Sequence, residues 1–353
     1  MRILHVLKTG TIGGVEKMCL DIAKKCPEHE FLFIKDVGSI PEEIRKVGNK
    51  VYTFFPEKKK LTRRCAHIAR RRIDKMIYYN RYDAIVFHHG SRFLWSLARY
   101  IKRYFSFLKV FLYIHSDSQL VLSEEQTGFR NRRRKLVRAA ESVNGILAIS
   151  NSAKERTIEI LPQLKDKIHV VHNGVDLQEF SCKGLKNFHN PLRCIYVGKI
   201  SQDKGILNLI VAFNKFENAT LTVVGMGDVY DECQKLANEN VNFIGRRANV
   251  ARLLNSHDVF VHFPLLHEGF GISIVEAMAK GLLCITNNKG ALPEILENGK
   301  GGIILNSLSE LEGTLKNLDE EKTRKLRENA LEISKKYSID NTIENLEKVC
   351  REF

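Results

Sequence analysis

Features that would place the chain in a membrane or outside the cell are missing from its 353 residues. No apolar run reaches the roughly 18 residues that a membrane-spanning helix needs. The first residues, MRILHVL, have a strand-like pattern, without the long apolar segment and cleavage site of a signal peptide. The eight cysteines include no CxxC pair, so we expect reduced thiols. The sequence therefore predicts a cytoplasmic protein, either soluble or attached to a membrane surface.

Acidic residues are scarce in the first half of the chain. Residues 1–190 hold 36 Lys and Arg against 19 Asp and Glu, a net charge of +17. Residues 191–353 hold 20 against 22, a net charge of −2. Such an excess indicates an anionic partner for the first half. Nucleic acid, an acidic membrane surface and a phosphorylated substrate all carry the required charge.

Short apolar segments alternate with helical patterns along most of the chain, and a polar stretch at 183–190 divides them into two series. Strands that alternate with helices predict parallel sheets built from right-handed βαβ units. We therefore expect an α/β protein with two doubly wound, Rossmann-like domains. The predicted strands are residues 3–7, 31–34, 84–87, 110–114, 145–149 and 168–171, then 193–197, 220–224, 241–244, 259–263, 283–286 and 302–305.

The most informative segment is HEGFGISIVEAMAKG at residues 267–281, between a predicted strand and a helical pattern. A Gly-x-Gly loop at the head of a helix leaves backbone N–H groups that suit a phosphate. Glu268 and Glu276 are separated by seven residues, so one carboxylate lies in the loop and the other in the helix. Carboxylates accept hydrogen bonds from hydroxyls. The segment as a whole favours a sugar nucleotide, although either glutamate alone is also typical of an ordinary helix.

The Glu268-x7-Glu276 segment closely resembles the signature of the large retaining glycosyltransferase family with the GT-B fold, family four. Five other segments resemble further motifs of that family in the same order, and together they span most of the chain. They are Gly13-Gly14 with Glu16-Lys17, HNGVD at 172–176, Lys199-x4-Lys204, VGMGD at 224–228, and ALPEI at 291–295.

The resemblance implies a division of the chain into domains that face each other across a cleft. Residues 1–184 would form an acceptor-binding domain, and residues 185–335 would form the domain that binds the nucleotide sugar. Residues 336–353 would form a helix that packs back on the first domain.

The resemblance also implies roles for individual residues. His115 follows the predicted strand 110–114 and would contact the transferred sugar. Lys199 and Lys204 would stabilise the departing diphosphate, and Glu268 would bind sugar hydroxyls. The other substrate-binding positions would be Gly13, Gly14, Arg247, Phe270, Gly271, Ile272, Ser273 and, for the ribose, Glu276. We interpret the remaining histidines near strands as structural, namely His5, His88, His89, His172 and His262.

The sequence contains no Asp-x-Asp motif, the divalent-cation site common in the other main glycosyltransferase fold. Two ammonium groups can neutralise a diphosphate without a metal. We therefore expect no metal site and no cofactor, the nucleoside diphosphate sugar being a substrate.

The basic excess is concentrated in three clusters of the first half. Residues 58–77 carry ten basic groups against one acid, and their apolar positions fall on one helical face. Residues 92–107 combine aromatic with basic side chains, and residues 130–135 form the third cluster. A solvated surface and an anionic membrane both agree with this charge. Nucleic acid agrees less well, because no helix-turn-helix, zinc or RNA-binding signature accompanies the charge.

The prediction is a retaining, metal-independent glycosyltransferase that acts on a cell-surface polysaccharide or lipid-linked glycan at the inner face of the membrane. A UDP-sugar is the favoured donor. Two alternatives differ in class. One is a membrane-surface or nucleic-acid-binding protein with an inactive GT-B fold, and the other is a different GT-B enzyme such as an epimerase.

Overall fold

The computed structural model describes residues 1–88, 90–115 and 129–353, and these divide into two compact units. The first unit consists of Met1–Gly174 together with Ile339–Phe353, and the second of Val175–Ser338. Each unit contains one parallel sheet connected by helices, which confirms the predicted pair of Rossmann-like domains. The eight cysteines are free thiols, and all but Cys182 are buried.

The sheet of the first unit has the strand order β3-β2-β1-β4-β5-β6-β7, all neighbours being parallel. Its strands are β1 (Ile3–Leu7), β2 (Glu30–Asp36), β3 (Val51–Pro56), β4 (Ala84–Phe87), β5 (Lys109–Ile114), β6 (Gly145–Ala148) and β7 (Ile168–Val170). The helices between them are α1 (Gly14–Lys25), α2 (Ile40–Lys46), α3 (Arg63–Asn80), α4 (Arg92–Tyr104), α5 (Phe129–Ser142) and α6 (Asn151–Ile160). Helices on the faces bury the central strands, and every residue of β1 and β4 is buried.

The second unit repeats this arrangement with the order β10-β9-β8-β11-β12-β13, again all parallel. Its strands are β8 (Leu192–Val197), β9 (Ala219–Val224), β10 (Val241–Gly245), β11 (Val259–His262), β12 (Leu283–Asn287) and β13 (Ile303–Leu305). Its helices are α7 (Ile206–Phe213), α8 (Tyr230–Leu236), α9 (Val250–Leu254), α10 (Ile272–Ala279), α11 (Leu292–Ile295), α12 (Leu311–Lys316) and α13 (Glu320–Lys335). The strand order reverses between β8 and β11, which is where α/β sheets bind ligands.

Each predicted strand is present, with ends that differ by at most two residues. Strand β3 is absent from the predicted strands, and it is an edge strand whose first three residues are only partly buried. An edge strand has one neighbour, so its apolar pattern is weaker than that of a central strand.

The last helix, α14 (Ile339–Glu352), belongs to the first unit. It packs against α1, and the Thr342 hydroxyl donates to the His172 carbonyl oxygen at 3.0 Å. The first unit ends at Gly174, ten residues before the predicted boundary. The reason is that the Val175 N–H donates to the Tyr337 carbonyl oxygen at 3.0 Å, which joins residue 175 to the second unit.

Helix α3 is amphipathic, as its sequence pattern predicts. Thr62 caps its first turn by accepting a hydrogen bond from the Cys65 N–H, and Cys65, Ala69, Ile73, Met76 and Ile77 are buried. No helix among the described residues is both long and apolar enough to cross a membrane.

Candidate active site

The loops after β8 and β11 meet beside the strand-order reversal of the second sheet. The N–H groups of Leu265 and Leu266 both donate to the Asp203 carbonyl oxygen, at 2.9 and 3.3 Å. Gly205 has a φ of 67°, and a Cβ there would lie 2.1 Å from the carbonyl oxygen of Phe263. Glycine is therefore required at this position, because any side chain would separate the two loops.

Glu268 and Lys204, predicted as site residues, are brought together by these loops. The Lys204 ammonium donates to Glu268 Oε2 at 2.8 Å, and His262 Nε2 donates to the same oxygen at 2.8 Å. The side chains of Lys204 and Glu268 are 25% and 13% exposed, so solvent still reaches the pair. We name the group formed by Lys204, His262 and Glu268 the charged triad. Lys204 and His262 are 58 positions apart in the chain, and only the fold brings both of them to Glu268.

The charged triad fixes the ionisation of Glu268. Burial by itself would raise the pKa of this carboxyl, but the hydrogen bond from His262 and the charge of Lys204 lower its pKa to about 2. Glu268 is therefore a carboxylate throughout the neutral range. It can accept hydrogen bonds from hydroxyls, and it has no proton to give as a general acid.

The loop after β11 ends at the N-terminus of α10, where backbone N–H groups are available to a ligand. Gly271 caps the helix with a φ of 93°, a conformation that favours glycine. Ile272 and Ser273 form the first helical turn and are partly exposed. Phe270 and Glu276 are buried, the Phe270 ring lying 5.5 Å from that of Tyr337. The helix N-terminus beside the charged triad suits an anion.

Two other predicted residues lie at the same edge of the second sheet but outside the triad. Lys199 follows β8 and forms a 3.3 Å ion pair with Asp228 in the loop after β9, with both side chains more than 60% exposed. A hydrogen bond fixes the loop that carries Lys199, since the Tyr196 hydroxyl donates to the Lys199 carbonyl oxygen at 2.8 Å. Arg247 follows the edge strand β10, which β9 separates from β8. The Arg247 side chain lines an open surface pocket together with Asn249 and Arg252.

The first unit places its predicted site residues at the corresponding edge of its own sheet. Gly13 is the N-cap of α1 and Gly14 is its first residue, so both follow β1. His115 follows β5 and is buried, with 8% of its surface exposed. Its Nε2 atom lies 3.1 Å from Nδ1 of His88.

The sequence predicts a structural role for His262, whereas the structure places it in hydrogen-bond contact with Glu268. The available signal was its position at the carboxyl end of β11, six residues before Glu268. His5 and His88 are not isolated either, since they are joined to His115 and His29. His89 and the side chains of Arg130 and Arg132 lie outside the described residues.

Two glycosyltransferase families match the chain. Residues 12–179 match the family model described as Glycosyltransferase Family 4, and residues 191–318 match Glycosyl transferases group 1. The uncharacterized glycosyltransferase MJ1607 of Methanocaldococcus jannaschii is 31% identical over 179 residues, which are 45% of this chain and 46% of the relative. The chain thus spans about half the length of the curated relatives it matches.

Solved structures share the fold of the whole chain. The Anabaena protein Alr3699/HepE, crystallised in complex with UDP, superimposes with a TM-score of 0.82 at 19% identity, covering 100% of both chains. The lipopolysaccharide outer core galactosyltransferase WaaB superimposes with a TM-score of 0.74 at 15% identity, covering 100% of this chain and 99% of that protein.

The fold defines a GT-B protein with two Rossmann-like domains, and each of the two family models matches one of these domains. The first unit is similar to Glycosyltransferase Family 4 and the second to Glycosyl transferases group 1, and the solved structures share the fold.

Proposed function

We propose that the protein is a retaining, metal-independent glycosyltransferase that transfers a sugar from a nucleoside diphosphate sugar to a cell-surface polysaccharide or lipid-linked glycan. The observation that carries this proposal is the charged triad, a cation and a carboxylate side by side at the N-terminus of α10. A sugar nucleotide needs both a diphosphate partner and a hydroxyl acceptor. The UDP complex of the Anabaena relative favours UDP as the nucleotide.

In the proposed reaction Lys204 stabilises the diphosphate as negative charge develops on the leaving oxygen. The N–H groups of Ile272 and Ser273 and the Lys199 ammonium add to this stabilisation. Glu268 remains ionised and accepts from sugar hydroxyls. Lys204 therefore exchanges part of its pairing with Glu268 for pairing with phosphate when the donor binds. Glu276 would bind the ribose, and His115 of the first unit would contact the sugar.

Retention would follow if the acceptor hydroxyl attacks the sugar carbon from the same face as that from which the diphosphate leaves. The leaving phosphate oxygen would take the hydroxyl proton as the new glycosidic bond forms. Glu268, with a pKa of about 2, is not suited to be the general acid. Comparison of the anomeric configuration of donor and product by proton NMR tests this step, and an inverted product would contradict it.

The acceptor is proposed to be presented at the inner face of the membrane. The exposed groups of α3 include Arg63, Arg64, Arg71 and Lys75. Four aromatic rings are also exposed at the far ends of α3 and α4, namely Tyr78, Tyr79, Tyr104 and Phe107. Basic groups beside exposed aromatic rings suit an anionic bilayer surface. The lipopolysaccharide acceptor of WaaB favours an acceptor of the same class.

A panel of UDP-, GDP- and dTDP-sugars tests the proposal. We expect slow release of free nucleotide from at least one donor, measured by chromatography, and release slower by on the order of 10²-fold or more in Lys204→Ala. Excess EDTA should leave the rate unchanged. If no donor is hydrolysed or bound, the result would favour the alternative of an inactive GT-B fold. Loss of activity in EDTA that Mg²⁺ or Mn²⁺ restores would contradict metal independence.

A further inference from the structure

Four buried histidines form a continuous row through the first unit. His115 Nε2 lies 3.1 Å from His88 Nδ1, His88 Nε2 lies 2.8 Å from His5 Nδ1, and His5 Nε2 lies 3.0 Å from His29 Nδ1. At the far end, His29 Nε2 lies 3.6 Å from Glu347 Oε1 of α14. Each inner histidine uses both ring nitrogens within the row.

The histidine row runs through the sheet from the carboxyl ends of its strands to their amino ends. His115 and His88 follow the carboxyl ends of β5 and β4, His5 is the central residue of β1, and His29 precedes the first residue of β2. The row therefore connects the carboxyl ends of the strands, where α/β sheets bind ligands, with the amino ends, where His29 meets Glu347 of α14. Separation along the chain hides this connection from the sequence.

Burial disfavours charge on the imidazoles of the histidine row. His5, His29 and His88 have no exposed surface. Burial lowers the pKa of His5 well below its usual value, and burial also lowers the pKa of His29. Cys19, whose sulfur lies near the rings of His5 and His88, remains a neutral thiol because burial raises its pKa.

A row of neutral imidazoles can be oriented in only two ways. A neutral ring has one N–H and one lone pair, so each contact within the row requires one donor and one acceptor. If His29 carries its proton on Nε2, then His5, His88 and His115 must carry theirs on Nε2 as well. The opposite orientation places all four protons on Nδ1.

Glu347 discriminates between the two orientations. Its carboxylate pairs with Arg351 and with the Met1 amino group, and its oxygen atoms have only lone pairs to present to His29. A proton on His29 Nε2 points at this carboxylate favourably, whereas a bare Nε2 would place two lone pairs against each other. We propose that Glu347 orients the histidine row, so that His115 carries its proton on Nε2 and keeps Nδ1 as a hydrogen-bond acceptor.

This inference adds Glu347, His29, His5 and His88 as positioning residues, and its catalytic consequence rests on the proposed function. An acceptor nitrogen on His115 would select a hydroxyl hydrogen of the bound sugar. Loss of the preferred orientation would weaken that hydrogen bond and raise KM for the donor by about 2- to 10-fold, as one neutral hydrogen bond implies, with a smaller change in kcat.

Nitrogen-15 NMR of histidine-labelled full-length protein tests the orientation without any substrate. We expect the His115 signals, assigned by comparison with His115→Ala, to show a protonated Nε2 and a bare Nδ1. In Glu347→Gln the side-chain amide can donate to His29 or accept from it, so both His115 tautomers should become populated. The matched control is Glu344→Gln, which removes the same charge from an exposed position one turn earlier in α14.

A wild-type His115 protonated on Nδ1, or a His115 tautomer that Glu347→Gln leaves unchanged, would overturn the proposal. If Glu347→Gln does not fold, the wild-type protein still decides, because the proposal requires the same Nε2–H tautomer at all four histidines. The expected tautomers together with an unchanged donor KM in Glu347→Gln would support the oriented row and contradict the assigned sugar contact of His115.

Discussion

The two units of this protein have sheets of corresponding strand order, with seven strands in the first and six in the second, but their candidate sites differ in electrostatic character. In the second unit, Lys204 and Glu268 meet as charged groups that are partly exposed. In the first unit, the corresponding edge holds the buried imidazoles of His88 and His115, which contact each other. The basic excess of the first unit lies instead on exposed helix faces such as that of α3.

The difference between the units follows from the cost of burying charge. Charged groups are stable at the second site because they pair with each other and remain near solvent. The histidines at the first site are buried, where a charge is costly, and their ring nitrogens contact one another. Under the proposed function, the charged groups of the second unit would bind the anionic diphosphate, and the histidine of the first unit would contact the sugar hydroxyls.

The largest expected effect comes from removing the cation of the charged triad. Lys204→Ala should lower turnover of the donor by on the order of 10²-fold or more, because a charge that stabilises the leaving group is lost. The rate of nucleotide release measures this. Lys316→Ala is the matched control, since Lys316 of α12 also forms a 2.7 Å pair with a glutamate, Glu312. Equal rates for the two variants would contradict the role of Lys204.

The next effect concerns the surface charge that distinguishes the first unit. Reversal of Arg63, Arg71 and Lys75 to Glu should abolish sedimentation with anionic vesicles at 0.1 M salt, because each basic group contributes roughly 1 kcal/mol at such a surface. Wild-type protein should sediment with these vesicles and be released at 1 M salt, where the Debye length falls to about 3 Å.

The matched control for charge reversal lies in the second unit. Lys235, Lys322 and Lys325 are exposed there, and their reversal to Glu changes the net charge equally. We expect this variant to bind vesicles nearly as well as wild type, and both variants to hydrolyse donor normally. Equal loss of binding would mean that net charge rather than the face of α3 is responsible, and binding to neutral vesicles as well would contradict the electrostatic account.

A smaller effect is expected from His262, which orients Glu268. His262→Leu should lower turnover by about 10-fold, the loss expected for one hydrogen bond to a charged group, whereas His262→Gln, which can keep a donor near the Nε2 position, should lose less. Glu268 has its pKa depressed in the folded protein, so its ionisation stabilises the fold above the ordinary carboxyl pKa, and this stability is lost as pH falls towards 2.

Thermal melting as a function of pH separates this role from simple packing. The stability difference between wild type and His262→Leu should be largest near neutral pH and should shrink between about pH 4.5 and pH 2. A difference that stays constant over that interval would show that His262 acts by filling space.

The smallest effect is expected from Tyr196→Phe. This change removes one hydrogen bond to the Lys199 carbonyl oxygen and leaves the buried ring in place. We expect a loss of about 1 kcal/mol in the free energy of unfolding and little change in turnover. A loss of turnover comparable to that of Lys204→Ala would mean that the loop carrying Lys199 is as important as the charged triad.

Much of the fold could be predicted because central strands of parallel sheets are continuous apolar segments. The edge strand β3 escaped detection, since it is buried only in part. Glu268 could be singled out because the whole segment around it is distinctive. His262 was harder to single out, because its position at the end of β11, six residues before Glu268, is not distinctive until the contact with Glu268 is known.

By itself the sequence determined the two α/β series, the excess of positive charge in the first half and the segment that contains Glu268 and Glu276. These properties depend on local pattern and composition. Only the tertiary structure decided that Lys204 and His262 share one oxygen of Glu268, and that His115, His88, His5 and His29 stand in one row. Such contacts join residues from different strands, and their distances are set by the order and register of the strands in each sheet.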